Sequence, residues 1–173
     1  MQSRRRLRYG ALRLISKGNA NPPGMKIMPT EPLKLMALEE EDLATISALM
    51  QDAVFVAKDL TFSKPAGRLE LQCNRFVWEE KRGFFRKPAR RRAVLVCKRV
   101  SAVRSIDFTP GADDAVANLL AIQFEKTGDG PEGSLVFTLS GGGEIVADAE
   151  CIEVLLSDLT TDWEARGTPH HPR

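Results

Sequence analysis

A chain of 173 residues with 43% hydrophobic, 28% charged and 6% aromatic side chains holds one domain of ordinary size, and excludes collagen-like, mucin-like and wholly disordered proteins. Lys and Arg number 25 against 23 Asp and Glu, a formal net charge of +2, and no window reaches the roughly 20 unbroken apolar residues of a membrane span. Cys73, Cys97 and Cys151 are too few and too unevenly spaced for a disulfide framework, which points to a reducing, cytoplasmic setting.

Residues 1–30 contain Arg4, Arg5, Arg6, Arg8, Arg13, Lys17 and Lys26 and no acid. With Leu7, Leu12, Leu14 and Ile15 interspersed, the stretch matches an organelle transit peptide. Asn19 to Gly24 breaks any helix, and Met25 and Met28 stand just before the first patterned segment. An over-extended start or a basic tail is therefore preferred to targeting. Residues 31–163 are expected to form a single domain, and residues 164–173 a second tail.

Leu33 to Leu38 predicts a short strand. Glu39-Glu40-Glu41-Asp42 opens a helix, its acids placed where the positive end of the helix dipole favours them. Leu43, Ile46, Leu49, Met50 and Ala53 then recur at helical spacing. From Val54 the period becomes two: Val54 to Val56 and Leu60 to Phe62 read as strands, and residues 64–67 as a turn. Leu69, Leu71 and Cys73 alternate, and Phe76 and Trp78 take the opposite parity, which predicts a bulge near Asn74 and Arg75. Residues 80–92 read as loop, and Ala93 to Ile106 as one long or bent strand. After a turn at Thr109 to Gly111, Asp113 and Asp114 open a short helix. Leu120, Ile122 and Phe124 alternate, as do Leu135, Phe137 and Leu139, and Gly141 to Gly143 form a hairpin tip returning through Ile145. Asp148 is placed to cap a last helix, whose buried stripe is Ile152, Leu155, Leu156 and Leu159. These elements predict an α+β domain: a mainly antiparallel bent sheet or partial barrel with a C-terminal capping helix, the plan of a pleckstrin-homology-like roll.

The residue inventory narrows the chemistry. Both histidines, His170 and His171, lie in the last four residues, and the single tyrosine is Tyr9. A Ser-His-Asp or Cys-His site inside the domain is thereby excluded, and so is a His-rich zinc centre. Gly141 to Gly143 precedes a strand, so it lacks the helix N-terminus that a dinucleotide or phosphate fingerprint needs. The three thiols read as small core residues. No cofactor, metal or catalytic residue is assigned.

The best functional signal is charge. Residues 75–104 carry eleven basic side chains against Glu79 and Glu80, whereas residues 105–173 carry three against thirteen acids. Within the basic stretch, Lys81, Arg82, Phe84, Phe85, Arg86, Lys87, Arg90, Arg91 and Arg92 form an aromatic-containing loop. Such a loop neutralises phosphates and stacks on unpaired bases, or meets an anionic membrane surface or an acidic protein. Arg75 and Trp78 are the candidate anchors of a neighbouring recognition patch. The alternative for the loop is a solvated surface held by its two Phe. For Arg75 it is an ion pair with a neighbouring carboxylate.

Asn74-Arg75-Phe76-Val77-Trp78-Glu79, with Gln51-Asp52-Ala53, Leu119 to Phe124, Gly141 to Ile145 and Glu150-Cys151-Ile152-Glu153, resembles a family of small uncharacterised bacterial proteins over roughly residues 33–163. The resemblance implies a bacterial cytoplasmic protein and carries no activity. The chain therefore reads as a non-enzymatic interaction module that contacts a macromolecular partner, protein before nucleic acid, through residues 81–92. The alternatives are a carboxylate-dependent enzyme without histidine and an assembly subunit of a homo-oligomer.

Overall fold

Alternation of apolar and polar side chains sets most of the chain into strands. The computed structural model describes residues 32–77, 90–112 and 114–159, of which 57% are strand and 12% helical. In chain order the elements are β1 (Lys34–Ala37), α1 (Glu40–Met50), β2 (Ala53–Val56), a short 3-10 turn (Ala57–Asp59), β3 (Leu60–Ser63), β4 (Arg68–Phe76), β5 (Arg90–Lys98), β6 (Val100–Ile106), β7 (Val116–Lys126), β8 (Gly133–Leu139), β9 (Glu144–Ala149) and β10 (Val154–Asp158). The strands lie in the order β1-β10-β5-β4-β2-β7-β8-β9-β6, with β3 on β4, and neighbours pair antiparallel throughout.

Two bent ribbons roll this sheet. β5 runs into β6 through Arg99 alone, whose φ of +56° turns the strand. β9 runs into β10 through residues 150–153 and follows β5 and β6 around the same corner. There, Lys98 N–H donates to Glu153 O and Glu150 N–H to Arg99 O. Both ribbons thus belong to both halves of the sheet, and the apolar inner faces meet in a core that includes Leu71, Leu95, Leu119, Leu135, Phe137, Ile145 and Leu156. Before β2 begins at Ala53, α1 lies alongside β7. Leu43, Ile46 and Met50 face inward, and Ser47 Oγ accepts a hydrogen bond from Ile122 N–H at 2.8 Å. The acids Glu40, Glu41 and Asp42 occupy the first turn of α1.

The α+β expectation is corrected to a mainly β fold. No helix closes the described chain: Asp148 lies within β9, residues 150–153 make the corner, and Val154 to Asp158 are a strand. The segment's apolar residues suit either period. A helix of about eleven residues is marginal on its own, whereas the slot between β1 and β5 offers a ladder on both edges. Burial alternates accordingly, with Ile152, Val154, Leu156 and Asp158 inside. The pleckstrin-homology-like plan, which needs that helix, falls with it.

Smaller departures have local causes. No bulge interrupts β4 at Asn74: it pairs with β5 without a register shift from Arg68 to Phe76. The irregularity lies in β7 between Leu119 and Ala121, so Leu119 and Ile122 are buried and Leu120 is 41% exposed. Arg90, Arg91 and Arg92, expected in a loop, are the first three residues of β5. Asp114 sits in a turn, and Asp113 lies outside the described residues.

Candidate functional site

Because Arg90 to Arg92 are strand, their side chains alternate across the sheet. Their partners are Phe76 for Arg90, Arg75 for Arg91 and Asn74 for Arg92. Arg75 and Arg91 therefore point inward, at 0% and 4% exposure, and meet Asp158 of β10 at 6%. Arg75 Nε donates to Asp158 Oδ1 at 2.8 Å and Nη2 to Oδ2 at 2.9 Å. Arg91 Nη1 stands 3.6 Å from Asp158 Oδ2. Leu33 N–H donates to Asp158 Oδ2 at 3.0 Å, and Asp158 N–H donates back to Leu33 O at 2.9 Å. The planar fork matches both carboxylate oxygens, which offsets the cost of burying the charges. This cluster joins β4, β5 and β10 to the start of β1.

Arg90 and Arg92 face out and are exposed. The Arg90 guanidinium lies 3.8 Å over the Phe76 ring and donates to Asn74 O at 3.2 Å and Asp52 O at 3.4 Å. Arg92 Nη2 donates to Gln72 Oε1 at 3.0 Å. Arg90 is thus stacked and still exposed, an arrangement suited to an anionic or planar group. Across the outer face, the next row is Lys34, Ser157, Val94 and Gln72, and the one after is Met36, Leu155, Val96 and Glu70. Glu70 is paired to Arg68.

Of the residues expected in the site, Arg75 and Arg91 are spent inside the fold, and Arg90 and Arg92 share one outer surface. Trp78, Lys81, Arg82, Phe84, Phe85, Arg86 and Lys87 lie outside the described residues. The ion-pair alternative weighed for Arg75 matches its position. Sequence reasoning missed Asp158, which a closing helix would leave off its apolar stripe. The signal that could have found it is the strict alternation Val154, Leu156, Asp158 on one parity.

A second polar region lies where β6, β8 and β9 meet, a groove of about 460 Å³ whose lining includes Ser101, Arg104, Ser134 and Asp148. Arg104 Nη1 donates to both Asp148 oxygens, at 2.8 and 2.6 Å, and Ser134 Oγ donates to Oδ1 at 2.7 Å. These bonds, that of Arg104 foremost, hold the Asp148 carboxyl below its usual range. Its pairing stabilises the fold above the ordinary carboxylate range and fades only as pH falls through the lowered value. A general acid needs the opposite shift. At the corner, Arg99 pairs with Glu153 at 3.1 Å and Glu150 at 3.4 Å, and Lys98 with Glu153 at 2.9 Å. Hydrogen bonding from Lys98 and then Arg99 keeps the Glu153 carboxyl low. Burial pushes the Cys73 and Cys97 thiols up to about 12, which leaves them unreactive core groups. Among the described residues, no three His, Cys, Asp or Glu side chains are grouped to hold a metal ion, and no helix is long and apolar enough to cross a membrane.

The fold and this surface together define a small rolled antiparallel-sheet protein with a basic face at the base of its β4–β5 hairpin. The chain belongs to the DUF2948 family, proteins of unknown function, whose model matches residues 33–171. That match opens at the residue before β1. No curated protein and no solved structure matches the chain.

Proposed function

We propose that this protein is a non-catalytic interaction module that contacts an anionic macromolecular partner through the base of the β4–β5 hairpin, with Arg90 and Arg92 on the strand and Lys81, Arg82, Arg86 and Lys87 from the connecting segment. The observation that carries the reading is the split of the arginine triplet. Arg91 turns inward toward Asp158, while Arg90 and Arg92 stay on an outer surface that bears no Asp or Glu from β4 or β5 beside them. Cations that form no ion pair with a carboxylate among the described residues attract a polyanion over a Debye length of about 8 Å at physiological salt. The lowered Asp148 carboxyl favours binding over the carboxylate-dependent enzyme, whose general acid needs the opposite shift. Three free cysteines, two of them buried, support a reducing compartment.

The test is a pull-down with the full chain at low and high salt, with and without nuclease, comparing wild type with Arg90→Glu/Arg92→Glu. Recovery of a partner that is salt-sensitive and lost in the double variant supports the reading. A partner retained by a folded double variant would sink it. Arg91 is left intact, because reversing it would place an acid against buried Asp158 and unfold the chain for unrelated reasons.

A further inference from the structure

We propose that the outer face of β1, β10 and β5 is a docking surface for an amphipathic acidic helix of a partner protein, an inference that rests on the basic end of β4–β5 being an interaction site. The register sets Met36, Leu155 and Val96 side by side across three strands, with Leu38 two residues past Met36 and Leu159 two rows toward the hairpin, beside Arg92. Met36, Leu38 and Leu159 are 46%, 63% and 47% exposed. A single exposed Leu on a sheet is ordinary, but an apolar row spanning three strands is the mark of a covered surface.

Charge chooses the occupant. Toward the hairpin the apolar row gives way to Lys34, then Arg92, then Arg90, none of which pairs with a carboxylate among the described residues. Glu70, at the β4 end of the apolar row, and Glu153, one residue before Val154, are already matched by Arg68, Lys98 and Arg99. The surface is therefore apolar in the middle and cationic on one side. From Leu155 to Leu159 it runs about 13 Å at the strand rise, the length of roughly two to three helical turns. A helix with apolar side chains on one stripe and carboxylates along its edge satisfies both parts. A nucleic acid meets the cations through its phosphates, but its bases stack on aromatic side chains, which this row of Met36, Leu155 and Val96 does not contain.

A displayed library of random peptides, each about 16 residues to allow four helical turns, is selected on the full chain. Enriched peptides are then titrated by fluorescence anisotropy against wild type, Leu155→Glu and Arg92→Glu, beside a labelled oligothymidylate. The expected result is enrichment of amphipathic acidic sequences whose affinity falls about tenfold or more with each substitution. No enrichment, or enriched peptides indifferent to Leu155→Glu, overturns the proposal. Should Leu155→Glu lower the melting temperature, Met36→Glu on the edge strand asks the same question. Oligothymidylate binding lost in Arg92→Glu but untouched by Leu155→Glu overturns the docking helix and leaves the basic site standing; indifference of every ligand to Arg92→Glu overturns both. A concentration-dependent rise in mass that Leu155→Glu abolishes overturns it in favour of a second copy on this face.

Discussion

Asp158 takes two hydrogen bonds from Arg75, exchanges two with Leu33 and faces Arg91. Removing its carboxylate leaves two guanidinium groups in the interior with no acid from β10. Asp158→Ala is therefore expected to cost about 3–5 kcal/mol, the range for breaking a buried ion pair on one side, read as a lowered denaturant midpoint. The triple variant Arg75→Met/Arg91→Met/Asp158→Leu should recover most of that loss, because apolar packing replaces the ions without stranding a charge. A triple variant that unfolds like Asp158→Ala would show that the cluster fixes strand register as well as balancing charge. Little of this was legible beforehand. Arg75 shares the parity of Leu69, Leu71 and Cys73, but a charged residue on a core parity is interpretable only with its partner, which lies 83 residues away.

At the scale of elements, those that follow one period were legible, and those whose residues suit two periods were decided by their neighbours. The stripe of α1 and the alternation of β8 appear in the sequence as they stand in the fold, because nothing competes with them. In β10, Leu155 and Leu156 are adjacent, so a helix and a strand each bury one partner set; the vacant slot between β1 and β5 selected the strand. Gly133 marks another place where the neighbouring strand dictates the residue. A methyl there would meet the Glu125 carbonyl oxygen and lie 2.7 Å from the Phe124 ring. Gly133→Ala is expected to lose about 1–3 kcal/mol by crowding, seen as a lower melting temperature. Gly128→Ala, with nothing within 4 Å of the added carbon, is the control and should leave it nearly unchanged.

Across the whole molecule, the shared bent ribbons make the two halves of the sheet one cooperative body. Cys73 and Cys97 sit on the inner face of β4 and β5, and Cys151 lies half-buried at the corner of the second ribbon. With burial holding the first two thiols near 12, a thiol reagent at neutral pH should label Cys151 alone in the native protein. Cys73 and Cys97 should follow only as denaturant exposes the core, with labelling that tracks global unfolding by mass spectrometry. Early labelling of Cys73 under native conditions would instead mean that β4 opens by itself, and with it the base of the proposed site.

The sequence by itself determined the helix α1, most strand positions, the hairpin tip at Gly141 to Gly143, and the absence of His from residues 32–159. Those depend on local period, turn-forming residues and side-chain identity, all of which are read within a window of a few residues. Only the tertiary structure decided that the last segment is a strand, that Arg91 turns in while Arg90 and Arg92 turn out, and that Met36, Leu155 and Val96 form one outward-facing row. Each depends on which strand lies beside which. That choice is made by pairing residues distant in the chain, and alternation then assigns every side chain to the core or to the surface.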